Sequence, residues 1–291
     1  MPIDYERLKS WPIPDQVNAY DERDCMLYAM GLGYGADPLD ASELPFVFER
    51  DLRVVPSLFT VIGAPGAWAT DPGTGIDWMQ ILHGEHRMTL HGLPPANGVL
   101  RSQTRVASVV DKGVGRGALV ITERTISDSA TGERLATIEH TSFCRADGGI
   151  GRSDEAPPAL PPTPETAPDI SVSLPALPSA ALLYRLNGDR NPIHADPVAA
   201  RKAGFDRPIL HGLCTYGVAA AELVRHVCDH DPSRLVHLEA RFSAPVYPGE
   251  RLSTEIWIEG DSVHFSTSVP ARSARVLSNG RAVVTPSSTR K

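Results

Sequence analysis

Three stretches in the first half of the chain, 98–110, 118–126 and 135–143, alternate apolar and polar residues with a period of two. That period puts successive side chains on opposite faces of a half-buried sheet, so each stretch predicts an antiparallel strand. Asp128 and Gly132 bracket a turn that joins the last two as a hairpin. The second half repeats the scheme at 252–258, 263–269 and 282–285. Helical periodicity is concentrated elsewhere. An Ala-rich apolar run follows Gly212 and continues to His226 with the spacing of a buried helix. A shorter helix is bounded by Asp196 as N-cap, Pro197 at its first position and Gly204 at its end. In each half a helix precedes a run of strands, which predicts an α+β fold.

The two halves read as copies. Residues 152–168 are dense in Pro, Ala, Ser and acidic side chains, including Pro157-Pro158 and Pro161-Pro162, and predict a linker. It divides the chain into an amino-terminal unit, 1–151, and a carboxyl-terminal unit, 169–291. Segment 27–31 stands to 183–187 as one apolar helix end to another, and 81–90 stands to 235–244, each of the latter pair then reaching a proline, Pro94 or Pro248.

Composition narrows the class. A chain of 291 residues, 42% hydrophobic and 22% charged, has enough material for two cores. A formal net charge of −7 without a basic run argues against general nucleic-acid binding. Asp4, Glu6, Arg7 and Lys9 interrupt any signal-peptide apolar core, and no run approaches membrane-spanning length. The carboxyl-terminal Ser-Ser-Thr-Arg-Lys, 287–291, is not a peroxisomal address, so a bacterial cytoplasmic protein is expected. The four cysteines have no disulfide-framework spacing, in keeping with a reducing compartment.

Chemistry concentrates between 183 and 197. Asp189 and His194 lie five positions apart with Asn191 between them. Gly188 permits unusual backbone angles, and Pro192 fixes its own φ and restricts Asn191, so the segment should be a stiff, bent loop. A carboxylate beside an imidazole can raise the imidazole pKa and fix its tautomer, which suits general acid–base work on water. Gly212, at the start of the long helix, offers free N–H groups and the helix dipole to a developing oxyanion. The corresponding stretch of the first copy, 32–38, has neither the aspartate nor the histidine at these positions and should be catalytically empty.

Other constellations carry less. The glycine runs 31–35 and 113–117 lack the strand–turn–helix frame of a nucleotide loop; the first reads as pocket or turn and the second as the start of a strand. His226, Cys228 and His230 at a helix tail read as capping or solvated rather than metal-binding. There is no Gly-x-Ser-x-Gly elbow. His83 and His211, each before a glycine, read as structural. The Gly- and Pro-rich loop 63–76 reads equally as pocket wall or plain surface.

The run 184–217, Tyr-Arg-Leu-Asn-Gly-Asp-Arg-Asn-Pro-Ile-His through Leu-His-Gly-Leu-Cys-Thr-Tyr-Gly, resembles the signature of the MaoC-like, hydratase 2 family of (R)-specific enoyl-CoA hydratases. The whole chain resembles the two-domain form of that family. The resemblance implies a double hotdog, each half a sheet wrapped around one long helix, with the degenerate amino-terminal copy enclosing the acyl chain. It implies Asp189 and His194 as the catalytic pair, Asn191 as a third polar residue orienting water or substrate, and Gly212 as the oxyanion-hole glycine. The expected activity is hydration of trans-2-enoyl-CoA to (R)-3-hydroxyacyl-CoA by a homodimer, with no metal, nicotinamide or flavin, coenzyme A being part of the substrate. Arg190, Arg201, Lys202 and Arg207 are candidates for its phosphates, though each suits a solvated face equally. The alternatives are a 3-hydroxyacyl thioester dehydratase working on CoA or acyl carrier protein, and a non-catalytic thioester-binding subunit.

Overall fold

The computed structural model describes residues 3–286, so the carboxyl-terminal 287–291 lie outside the described residues. Ten strands form one antiparallel sheet: β1 (Gln16–Tyr20), β2 (Ile81–Leu90), β3 (Gly98–Asp111), β4 (Ala118–Asp128), β5 (Arg134–Cys144), β6 (Ile170–Pro175), β7 (Leu235–Phe242), β8 (Arg251–Glu259), β9 (Ser262–Val269) and β10 (Ala274–Val284). The α-helices among the described residues are α1 (Tyr5–Lys9), α2 (Glu22–Gly31), α3 (Leu44–Val47), α4 (Ala180–Tyr184), α5 (Pro197–Lys202) and α6 (Gly212–His226).

Strand order across the sheet is β1-β3-β4-β5-β2-β7-β10-β9-β8-β6. Each half has the same internal order, and the halves meet where β2 pairs antiparallel with β7, which is the arrangement a pseudo-two-fold produces. The segments matched in sequence, 81–90 and 235–244, supply these two seam strands. Across the seam Met88 faces Leu238 in the core, while Arg87 opposes Glu239 and Glu85 opposes Arg241. Arg241 and Glu85 form an ion pair at 2.7 Å. The other matched pair also meets: the rings of Tyr28 on α2 and Tyr184 on α4 lie 5.9 Å apart.

The core surrounds α6, whose residues from Cys214 to Val224 are all buried. Such all-round burial explains its Ala-rich composition, since only small side chains fit between a sheet and a second layer. At Gly217 an added Cβ would stand 2.7 Å from a Leu32 methyl and 2.9 Å from the Tyr28 hydroxyl, so the glycine allows close approach of the amino-terminal half. The double hotdog therefore holds, with one correction: only the carboxyl-terminal half has the long helix. At the matching place after α3, the first half has a single 3-10 turn, Pro56–Thr60. Gly63 at φ +69, then Pro65 and Gly66, prevent that turn from extending.

The shorter elements follow their sequence chemistry. Asp21 and Asp24 form a reciprocal capping box on α2. The Asp196 side chain caps α5, and Gly204 follows that helix at φ +89. The stretch 113–117 is the turn joining β3 to β4 rather than the start of a strand. β10 begins well before the expected 282, because register shifts and Asn279 at φ +54 interrupt its alternation. The stretch 152–168 forms no helix or strand, yet is held against the outer face of the sheet. Arg87 donates to the Pro158 carbonyl at 2.7 Å, Asn279 to Pro161 at 2.8 Å and the Trp257 indole to Thr166 at 2.9 Å.

Candidate active site

The loop after α4 turns at Gly188, φ +130, and presents Asp189 at the edge of a cleft. The Asn191 backbone N–H donates to Asp189 Oδ1 at 3.1 Å. Asn191 Oδ1 in turn accepts from the Ile193 N–H at 3.2 Å, capping the 3-10 turn Pro192–His194. Asn191 therefore sets the loop with its side-chain oxygen, and the residue lines the cleft. His194 is buried, and its Nδ1 lies 2.8 Å from the Ile209 carbonyl. A carbonyl only accepts, so Nδ1 carries the proton and Nε2 presents a lone pair.

His211 caps the amino terminus of α6 and stacks on His194 with ring centroids 3.7 Å apart. Its Nε2–H donates to the Asp189 main-chain carbonyl at 3.1 Å, and its Nδ1 is buried without a protein partner. One carboxylate oxygen of Asp189 and one ring nitrogen each of His194 and His211 lie within 4.8 Å of one another. Burial pushes the His194 pKa down, more than the Ile209 carbonyl and Asp189 raise it. The sequence-based expectation of an imidazole raised by its carboxylate is thus reversed: desolvation wins, and the neutral ring is the resting form. His211 is lowered too, by burial and then by His194.

Behind the loop lies a cleft of about 890 Å³ between the two halves. The segment from Gly63 to Trp68 forms part of its wall, as do His83, His86, Arg124 and His140 from the inner face of the first half. At the start of α6 the first N–H paired within the helix is that of Cys214, to the His211 carbonyl, leaving those of Gly212 and Leu213 at the open end. A Cβ at Gly212 would meet the Phe242 ring at 3.3 Å and His83 Nδ1 at 3.4 Å.

Residues 18–146 match the MFE-2 hydratase 2 N-terminal domain, and residues 159–279 match the MaoC like domain. The chain is 36% identical over 285 residues to enoyl-CoA hydratase ChsH3 of Mycobacterium tuberculosis, covering 96% of this chain and 98% of that protein. The chain belongs to the MaoC-like hydratase 2 family. It is accordingly a hydro-lyase. This hydratase is also 39% identical over 243 residues to 3-hydroxyacyl-thioester dehydratase Y of the same organism, covering 82% of each. Among solved structures, full-length peroxisomal multifunctional enzyme type 2 from Drosophila melanogaster superposes with a TM-score of 0.80 at 31% identity, covering 93% of this chain. The hydratase spans about half of that chain, 48%.

The fold of the hydratase puts Asp189 and Asn191 on the cleft wall, with His194 and His211 close behind Asp189 and Gly212 directly after His211; His194, His211 and Gly212 do not themselves line the cleft. Arg190 also lines the cleft. Arg201 and Lys202 are exposed in the last turn of α5, and Arg207 lies over the Tyr247 ring at 4.7 Å; none of the three lines it. His226 and His230 also lie away from it: His226 pairs with Glu222 at 3.1 Å, and His230 Nε2 is 3.3 Å from Ser42 Oγ. His83 and His211 sit closer to the site than their sequence surroundings suggest. Read as structural from their apolar surroundings, both stand beside the loop that carries Asp189 and His194, because β2 and the start of α6 converge there. The signal for His211 was its place one residue before Gly212. For His83 it was the match between 81–90 and 235–244, which put it on a seam strand.

Proposed function

We propose that this hydratase adds water to trans-2-enoyl-CoA, giving (R)-3-hydroxyacyl-CoA, with Asp189 and His194 holding the water. The observation that carries this is the His194 ring: its Nδ1–H is held by the Ile209 carbonyl, which leaves Nε2 as the free acceptor, and a ring nitrogen lies within 4.8 Å of an Asp189 carboxylate oxygen. The thioester oxygen is received by the Gly212 N–H at the open end of α6, where helix dipole and free donor favour the enolate that develops. Nε2 takes one proton from the water as its oxygen bonds to C3, and the same proton returns to C2, so the ring ends neutral. Asp189 orients the water and stabilises the transient imidazolium. No electrons are transferred, and the step needs no metal, nicotinamide or flavin. The (R) configuration is what the resemblance to hydratase 2 implies, and coenzyme A is the carrier in the name of the ChsH3 relative.

Loss of enoyl-thioester absorbance on mixing with crotonyl-CoA and a medium-chain trans-2-enoyl-CoA tests the reading, with the product trapped by an (R)- or an (S)-specific 3-hydroxyacyl-CoA dehydrogenase. Asp189→Asn and His194→Ala should each lower kcat by about a hundredfold or more, the usual contribution of a positioned acid or base. Turnover retained in both variants rejects the dyad, and an (S) product rejects the stereochemistry. The likeness to dehydratase Y favours a second reading, the same chemistry run as dehydration of a 3-hydroxyacyl thioester. Comparing carrier-protein-bound with CoA-bound substrates in both directions separates the two.

A further inference from the structure

The wall of the cleft contributed by the first half is largely apolar, with Leu58, Val61, Ile62 and Ile138 on it, but it also carries a buried cation. Arg124, on β4, borders the cleft and is only 5% exposed. Its Nη2 donates to the Phe59 carbonyl at 2.9 Å and the Thr60 carbonyl at 3.2 Å, at the carboxyl end of the 3-10 turn, while its Nη1 is buried with no protein partner. Among the described residues no carboxylate forms an ion pair with it, and its titratable neighbours Tyr184, His86 and His140 are held neutral by burial. Burial lowers its pKa only to about 10, so the guanidinium is cationic at neutral pH. A buried cation without a counter-ion is costly, and proteins rarely keep one without a use.

Two further groups on this wall lack partners. His86 Nε2 and the Tyr184 hydroxyl are both buried and unpaired, and both residues line the cleft. His86 and His140 share one proton between their Nδ1 atoms, 3.2 Å apart. Burial first, then the Arg124 charge and His83 at His86, and His83, His86 and Arg124 at His140, push both imidazoles well below the ordinary histidine value, so among these residues Arg124 is the fixed charge. The wall is continuous with the reacting loop: His83 packs edge-on against His140, with centroids 4.7 Å apart, and also stands against the site of Gly212. An acyl chain reaching past the loop would leave Nη1 unpaired if its end were a methyl group. A carboxylate there would accept from Nη1 and cancel the charge.

We propose that the cleft holds an anion subsite, built on Arg124 with His86 and Tyr184, that selects acyl thioesters carrying a carboxylate at the far end of the chain. This deepens the hydratase reading and rests on the acyl group occupying this cleft.

Saturated thioesters test the subsite without chemistry. Dissociation constants of matched pairs, pentanoyl- and glutaryl-CoA, hexanoyl- and adipoyl-CoA, octanoyl- and suberyl-CoA, are measured by calorimetry on the full chain. At the length that reaches Arg124, the carboxylated member should bind about tenfold or more tightly, the factor expected of a charge-assisted hydrogen bond in a desolvated site. Arg124→Gln should abolish that preference while leaving the aliphatic member within about threefold of wild type. Arg124→Lys, which keeps the charge and a donor for the 3-10 turn, should retain part of it and serves if the glutamine variant fails to fold. Equal binding of both members at every length, or equal weakening of both by Arg124→Gln, overturns the subsite and leaves Arg124 as a cap of the turn. Failure to hydrate any enoyl-CoA would instead reject the hydratase reading, and is measured separately.

Discussion

Acid should destabilise this protein well above the range in which its carboxylates titrate. His86, His140, His194 and His211 all have pKa values pushed below the ordinary histidine value, in each case chiefly by burial. The unfolded chain therefore binds more protons than the folded one below about pH 6.5, and stability present above that value is lost as pH falls toward the depressed folded values. Between pH 7.5 and 5.5 each imidazole that stays neutral in the folded state costs about 1.4 kcal/mol. If all four stay neutral to pH 5.5, the loss approaches roughly 5 kcal/mol, a large part of the stability of an ordinary domain. The carboxylates do not confuse this window: Asp154, for example, is held down at about 2 by Tyr5, the Val109 N–H and Lys9 against its desolvation. Denaturant unfolding at pH 7.5, 6.5 and 5.5 measures the slope, and His86→Phe, which removes one titrating ring, should reduce the loss by about 1.4 kcal/mol whatever it does to absolute stability. A stability that is flat or rising from pH 7.5 to 5.5 would show that these rings are not held neutral, and would remove the resting state assumed for His194.

The same neutrality governs catalysis: kcat/KM should be level from pH 8 to 6.5 and fall only at lower pH, whereas an acid limb above 6.5 would mean that Asp189 outweighs burial at His194. Arg225 bridges the halves, its Nε 2.6 Å from Glu43 and its Nη1 3.0 Å from Glu222, with all three side chains nearly inaccessible. Arg225→Met would strand two buried carboxylates, and a loss of about 3–5 kcal/mol is expected in denaturant unfolding; a loss below 1 kcal/mol would mean that water already reaches the triad. Gly217→Ala gains about 1 kcal/mol of helix propensity but drives a methyl to 2.7 Å from Leu32, and overpacking of about 1–3 kcal/mol should leave the variant less stable. A raised melting temperature would count against close packing of α6 on the first half.

What was legible in the sequence was whatever repeats with a short period or sits at a turn. The strands at 98–110, 118–126 and 135–143 face one packed side and one wet side, so their alternation survives intact. β10 does not alternate cleanly, because the chain bulges near Asn279 and Gly280. The seam was legible as similarity between 81–90 and 235–244 without being legible as contact: a sequence match says that two segments are alike, and only closure of the sheet makes them neighbours. The expectation of a second long helix failed for a local reason. Helical apolar spacing at 56–62 is present, but Gly63, Pro65 and Gly66 terminate it after one turn.

That missing helix connects the fold to the site. Where the second half fills its sheet with α6, the first half has only the turn Pro56–Thr60, and the unfilled space becomes part of the cleft beside Asp189. The loop 184–197 was readable because its residues position one another over a few bonds: Asn191 caps the turn that carries His194 and also holds Asp189. The opposite wall was not readable, because His83, His86, Arg124 and His140 lie on three different strands of the first half and face the cleft only through sheet pairing. Taken singly, each is a polar residue in an alternating strand, which suggests solvent exposure. Their inward orientation puts polar groups on the cleft face of a half that carries no counterpart of Asp189 and His194, and sheet pairing rather than local sequence is what assembles them.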